Sequence, residues 1–482
     1  MIRRSVIGIS VLAIILPTLL ATNLSTNKTA TIEMSNSRVS FPQVLVSQKS
    51  YVPAINTWSI KGTLKSTTAN QALWTVRSSH SVPPGDVVDI EIHQNGRKIW
   101  QSWSTQGGHA WHGQATNLPS GSWSLDVGIF QPQWASLDGW WNQVASAHSG
   151  NVTGTTSLPI IADQAYQHWR KTYVVSAGPG MLRVIRPQNQ NDTVSEGIGY
   201  GMLLAAGHND LSTFQGLWAY AQKYRDAYGL MNWEIKASGQ VIGRGSATDA
   251  DEDMAYALVL AHQKWPHHGF GQAAKTLINA ILAHDVSVTN RILPGDSWGP
   301  TRIMNPSYIS PAYYQVFAQF THNSRWNSIA QINSEWLAKN ANTQTGLLPD
   351  WLNANGTAPS ISWDQYPQDW YYDAVRVPWR LWMAASLGNA SAQKILTTEG
   401  QWIQRTGNVS LTSGYTLNGQ PLNHYQSGPF LSACVFMTQY ANSAMRQEAL
   451  NQLETWHSTT YYGASLRALA LATLAKELTP PL

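Results

Sequence analysis

From Pro159 onward the apolar residues recur about every 3.6 positions, and the pattern holds for roughly 320 residues. Gly, Pro and Asn interrupt it at intervals that leave about twelve helical segments in consecutive pairs. The predicted spans are 157–173, 195–207, 210–227, 249–265, 270–285, 307–321, 324–341, 371–387, 389–406, 427–440, 442–457 and 461–477. Helices paired in this way suit a closed double ring, six inner and six outer, so the expected fold is an all-α toroid. Inner helices would present their N-terminal ends on one face. Three long, aromatic-rich connections (228–248, 286–306 and 342–370) would line a cleft there.

The preceding part of the chain has another period. Over residues 51–153 apolar and polar side chains alternate, as in Val87-Val-Asp-Ile90-Glu-Ile92 and again from Ser122 to Phe130. Asn95-Gly96 reads as a hairpin turn, and Pro119-Ser-Gly121 as another break. Short strands at this spacing predict a small all-β sandwich of immunoglobulin-like type. Trp111, Trp123, Trp134, Trp140 and Trp141 crowd its second half, where they either form a carbohydrate-binding face or pack inside.

At the N-terminus, Arg3 and Arg4 precede a mostly apolar run from Ser5 to Leu20, the pattern of a secretory signal over residues 1–21. Leu19 stands where cleavage favours a small residue, so an uncleaved membrane anchor is the alternative. Residues 22–50, rich in Ser, Thr and Asn without a sustained period, read as a flexible linker. A chain of 482 residues with 43% hydrophobic and only 12% charged residues has a neutral, amide- and hydroxyl-rich surface. Its net charge of +4 is diffuse, which argues against nucleic acid as a partner. Such a surface suits export into acid, where excess positive charge repels. The single cysteine, Cys434, excludes an intramolecular disulfide. The 23 Trp and 19 Tyr, against 8 Phe, favour rings with a polar handle, able to stack on sugar faces.

Three helix starts carry carboxylates. In Thr193-Val-Ser-Glu196-Gly-Ile-Gly-Tyr200-Gly, Ser195 can cap a helix and Glu196 lies in its first turn, where the helix dipole favours an anion. Gly197, Gly199 and Gly201 clear space beside it for a ligand or another backbone. The dinucleotide fingerprint fails, since its third glycine would be Met202. Taken alone, the stretch also reads as a capped helix start with close packing. In Thr248-Asp249-Ala-Asp251-Glu252-Asp253, Thr248 or Asp249 can cap, and mutual repulsion predicts that at least one acid points inward. A calcium loop is excluded by Met254 and Leu260 at its sixth and twelfth positions. In Tyr371-Tyr372-Asp373-Ala-Val-Arg376, the acid and the arginine three residues on can pair, an arrangement that is often purely structural. Helix starts converging on one face would bring the three acids together, and paired carboxylates among aromatics are the apparatus of glycosidic bond cleavage.

The ordered motifs Val184-Ile-Arg, TVSEGIGYGMLLA, GLMNW, ATDADEDMAYAL, LPGDSWG, NPSYISPAYY, TGLLPDW, YDAVRVPWR and YYGASLRALALA make residues 157–478 resemble glycoside hydrolase family 8, which includes bacterial endoglucanases. The resemblance implies an (α/α)6 toroid that inverts the anomeric centre without cofactor or metal. It makes Glu196 the general acid and Asp373 the general base, with Asp249 holding the distorted sugar. Retention of Asp373 argues against the branch whose base is a glutamate in a loop insertion. Trp233, Trp298, Tyr308, Tyr372 and Arg376 match substrate-contacting positions. The expected activity is that of a secreted, monomeric endo-β-1,4-glucanase acting on cellulose or a related β-1,4-glucan. An endo-β-1,4-xylanase or exo-oligoxylanase of the same fold is the sibling alternative, and a non-catalytic polysaccharide-binding protein the alternative of another class.

Overall fold

A computed structural model describes residues 60–479, apart from 69, 95–96, 120, 132–141, 155–157, 299–301 and 457. The expectations for residues 1–21 and 22–50, the Asn95-Gly96 turn and Trp134, Trp140 and Trp141 lie outside the described residues. Contacts divide the chain into two compact units, with the boundary in the sequence between residues 157 and 158.

The first unit is β-rich. Its strands are β1 (Ile60–Thr68), β2 (Gln71–Val82), β3 (Val87–Gln94), β4 (Arg97–Ser104), β5 (Gly108–Ala115), β6 (Gly121–Gln131) and β7 (Asn142–Gly154). They form two antiparallel sheets, ordered β1-β2-β5 and β4-β3-β6-β7. The two-residue alternation turns Val88, Ile90 and Ile92 of β3 and Leu125, Val127 and Ile129 of β6 into a core shared with Trp74 and Val76 of β2. Trp111 and Trp123 belong to that core, and the Trp123 indole N–H donates to the Pro119 carbonyl at 2.7 Å. These two tryptophans are therefore packing residues and offer no face to a sugar.

The second unit is mostly helical, with twelve α-helices among the described residues. They are α1 (Leu158–Tyr173), α2 (Ser195–Gly207), α3 (Leu211–Lys223), α4 (Thr248–Lys264), α5 (Phe270–His284), α6 (Pro311–Thr321), α7 (Arg325–Asn340), α8 (Val377–Ser386), α9 (Ala390–Thr406), α10 (Gly428–Met437), α11 (Ser443–Thr455) and α12 (Tyr461–Leu474). Helix α3 ends four residues before its predicted end, and the starts of α6 and α8 are delayed by single 3₁₀ turns at Pro306–Tyr308 and Ala374–Arg376. Pro311 and Pro378 then occupy first-turn positions, where a missing N–H costs nothing.

Even-numbered helices pack on one another in a closed cycle, α2–α4–α6–α8–α10–α12–α2, and each also packs on an odd-numbered neighbour in the chain or, for α12, on α1. Sequence follows position in this scheme. The segment GPFLSACVFM of α10 carries no charge and is buried at every residue, as a helix surrounded by others must be. In α2 every residue except Glu196 is buried. A Cβ on Gly199 would lie 2.9 Å from Asp253 Cβ and 3.1 Å from the Ala250 carbonyl oxygen, so the glycine sets how closely α2 meets α4. No helix among the described residues is long and apolar enough to cross a membrane.

Helix α4 explains its own acidic cluster. Asp249, Asp251, Glu252 and Asp253 are each at most 2% exposed, and each has a separate partner. Asp251 accepts the Met231 N–H at 3.1 Å and Glu252 the Tyr314 hydroxyl at 2.8 Å, while Asp253 takes a two-pronged contact from Arg380 at 2.6 and 2.9 Å. Asp249 is given to Arg376. All four acids are therefore internal, pointing in different directions around a helix inside the cycle.

Candidate active site

Five of the six even-numbered helices begin at one polar cluster centred on Arg376, and the sixth, α10, begins beside Tyr372. Glu196 comes from the first turn of α2, Asp249 from that of α4, and Ser307 from the turn leading into α6. Asp373 and Arg376 immediately precede α8, Ser427 precedes α10 and Tyr461 opens α12. The helix starts are made differently from the sequence reading. Ser195 and Thr248 are the first helical residues and do not cap; Val194 and Ala247 stand at the caps without side-chain bonds. Thr248 instead donates to the Leu293 carbonyl at 2.6 Å.

Arg376 is only 2% exposed and donates through all of its guanidinium N–H groups. Nη1 reaches Glu196 Oε2 at 3.0 Å and Asp249 Oδ2 at 2.6 Å. Nη2 reaches Asp373 Oδ1 at 2.9 Å and Ser307 Oγ at 2.8 Å, and Nε reaches the Asp373 carbonyl at 3.3 Å. An arginine has five N–H donors, and these contacts engage all of them. Arg376 is the post to which the three acids are tied.

The acids differ in environment. Glu196 keeps 22% of its side chain exposed, and its Oε1 accepts the Tyr461 hydroxyl at 3.1 Å. Burial pushes its carboxyl up to about 7, outweighing Arg376, with Asp249 adding to the rise. The Asp249 side chain is 3% exposed, its carboxyl also raised by burial against the pull of Arg376, and its Oδ1 is buried without a hydrogen-bond partner. Asp373 has 32% of its side chain exposed. Burial lifts it as well, while Arg376 draws it down. Contact with solvent limits that rise, so Asp373 is the acid of the three best placed to hold a negative charge.

Aromatic rings gather on one side. Trp298 stacks on Trp351 at 5.8 Å, Trp363 meets both edge-on, and Tyr308 lies 6.2 Å from Trp351. The Arg376 guanidinium stands 5.4 Å from the Tyr308 ring. Tyr372 is enclosed edge-on by Tyr371 and Phe430, with its hydroxyl 3.4 Å from Ser427 Oγ. Trp233 meets the start of α2 through its backbone. Its carbonyl accepts the Ser195 N–H at 2.9 Å, and its ring covers Gly243, where a Cβ would come within 2.3 Å. Three contributors escaped the sequence reading: Tyr461, Asp350 and Trp351. Each lies in a motif already singled out, but nothing local tells that a tyrosine hydroxyl or a loop aspartate faces a distant acid. Among the described residues, the carboxylate oxygens of Asp350, Asp364 and Asp373 lie within 4.8 Å of one another, the one such acidic triplet able to surround a cation.

A carboxyl raised to about 7 beside a second, more exposed one, with rings alongside, is the equipment of an enzyme that cleaves glycosidic bonds by acid–base catalysis. Residues 140–476 match the model of glycosyl hydrolases family 8, and the chain belongs to that family. It is 38% identical over 341 residues to Endoglucanase 2 of Ruminiclostridium josui, covering 67% of this chain and 73% of the relative. It is 37% identical to Endoglucanase A of Acetivibrio thermocellus, covering 66% and 69% respectively. A solved β-1,3-1,4-glucanase from Paenibacillus sp. X4 superposes with a TM-score of 0.62 at 26% identity, over 66% of this chain and 92% of that one.

Proposed function

We propose that this chain is an endo-acting β-1,4-glucanase that hydrolyses its substrate with inversion. The observation that carries the reading is the single buried arginine binding three carboxylates while burial holds Glu196 at about 7. In this account Glu196, protonated below that value, donates to the leaving oxygen. Asp373 takes a proton from the attacking water, with the two carboxyls about 6.5–9.5 Å apart to leave room for it. Asp249 offers its unpartnered Oδ1 to a ring hydroxyl, gripping it more tightly as charge develops in the transition state. Trp298, Tyr308 and Tyr372 supply pyranose platforms. The closed cycle of six even-numbered helices, each backed by a further helix, supports an (α/α)6 toroid. Two sheets around one core support an immunoglobulin-like module. The basic-then-apolar N-terminus supports export, by a cleaved signal or with an anchor.

The names of the relatives at 37–38% identity favour glucan as substrate. Cellulose and xylan differ at one hydroxymethyl group per sugar, a difference worth about 1–3 kcal/mol in a pocket. The test is hydrolysis of carboxymethyl-cellulose and xylan side by side, following viscosity and reducing ends. Viscosity falling well ahead of reducing-end release on the cellulose derivative is the expected result. Cleavage of xylan alone would move the substrate, and loss of neither polymer would overturn the reading.

A further inference from the structure

The side chain that fixes Asp373 in place comes from outside the helix starts. Asp350 is the next-to-last residue of the motif TGLLPDW, in the connection between α7 and α8, and is 2% exposed. Its Oδ1 accepts the N–H groups of Tyr371 and Ala374 at 2.9 and 2.7 Å, and its Oδ2 accepts that of Asp373 itself at 3.0 Å. One carboxylate thus ties three N–H groups within four residues, a turn that no side-chain cap holds otherwise. The backbone doubles the tie, since the Asp350 N–H donates to the Asp369 carbonyl at 2.9 Å and the Trp351 N–H to the Pro367 carbonyl at 2.9 Å. The next residue, Trp351, is the ring that stacks on Trp298 and approaches Tyr308.

We infer that Asp350 is a positioning residue for hydrolysis: it fixes the turn bearing Asp373 and sets that turn in register with the aromatic wall that begins at Trp351. The inference rests on the reading of Asp373 as general base. Arg376 holds the Asp373 side chain from the α8 side, whereas Asp350 holds its main chain from the opposite, loop side. A base held at only one of these points can swing, and a displacement of about 1 Å is enough to lower turnover by about 10²-fold. The sugar rings rest on the aromatic platforms, so binding should be affected far less than turnover.

The test compares Asp350→Ala, Asp350→Asn and Asp373→Asn in the full chain, with a soluble β-1,4-gluco-oligosaccharide as substrate and circular dichroism to follow folding. Asp350→Ala should lower kcat by about 10²-fold with KM changed less than threefold. Asp350→Asn keeps an acceptor oxygen for Tyr371 and Ala374, and should recover about tenfold of that loss. Asp350→Asn with wild-type melting and no kcat advantage over Asp350→Ala overturns the inference, as does a kcat for Asp350→Ala within twofold of wild type. Should Asp350→Ala melt early, the kcat and KM of Asp350→Asn alone decide. Asp373→Asn separates the two levels. If it turns over normally, the base assignment itself fails; if it is inactive while Asp350→Ala is near normal, only the positioning role fails.

Discussion

Replacing Glu196 by glutamine is expected to lower kcat on β-1,4-glucan by about 10³-fold or more, with the helical unit intact. Glutamine matches the shape of the protonated acid: its oxygen can accept from Arg376, and its NH2 can donate to the Tyr461 hydroxyl oxygen, the two groups that touch the carboxyl. What it lacks is a proton to give. A cellobioside with a good leaving group, such as dinitrophenolate, needs no such proton and should lose less than about tenfold. That contrast separates a lost acid from a disturbed fold. The pH profile gives a second reading. The acid must be protonated, so wild-type kcat/KM should decline as pH rises through about 7, and Glu196→Gln should lack this limb on the activated substrate. On the acid side activity should fall as Asp373 becomes protonated, at a pH above that of an ordinary aspartate because burial raises it. Near-wild-type hydrolysis of glucan by Glu196→Gln would remove the general acid from the account.

The other large effect is expected at Arg376. Its side chain is 2% exposed and serves Glu196, Asp249 and Asp373 at once. Arg376→Ala leaves three neighbouring carboxyls without their shared cation, and breaking a buried ion pair in this way costs about 3–5 kcal/mol. The loss should appear as a lower urea midpoint for the helical unit, together with loss of activity. Arg376→Lys is the sharper test. It keeps the charge, but a single ammonium has three donors at one point and cannot span what the planar fork spans. Its kcat should fall by about 10²-fold or more. A lysine variant with wild-type kcat and stability would show that charge alone suffices and that the fork geometry is idle.

Local rules made the helices readable, and the misplacements have local causes too. The apolar period and the breaks at Gly, Pro and Asn located all twelve helices, because each segment must bury a stripe whatever lies opposite. Delayed starts at α6 and α8 follow from Pro311 and Pro378, which favour a first-turn position over the one implied by the apolar pattern. Ser195 and Thr248 resemble caps by residue type, yet Ser195 lies inside the packed cycle and Thr248 finds a partner in Leu293. The acids were legible because helix starts gather on one face. Arg376 was legible only as a local partner of Asp373. Its bonds to Glu196 and Asp249 span 180 and 127 residues, and no spacing rule reaches that far. Gly197, Gly199 and Gly201 signal room for a ligand or another part of the chain, and a Cβ on Gly197 would lie 2.8 Å from the hydroxyl of Tyr461, the tyrosine that meets Glu196.

The central claim is that Glu196 and Asp373 act from opposite faces of the sugar, with a water between base and anomeric carbon. The most direct measurement is the anomeric configuration of fresh product, followed by proton NMR from the first minutes of hydrolysis of a β-1,4-gluco-oligosaccharide. Initial α-anomer that then relaxes towards equilibrium is the predicted result. Initial β-anomer would mean a covalent intermediate and retention, and would contradict the assignment of Asp373 as a base acting on water.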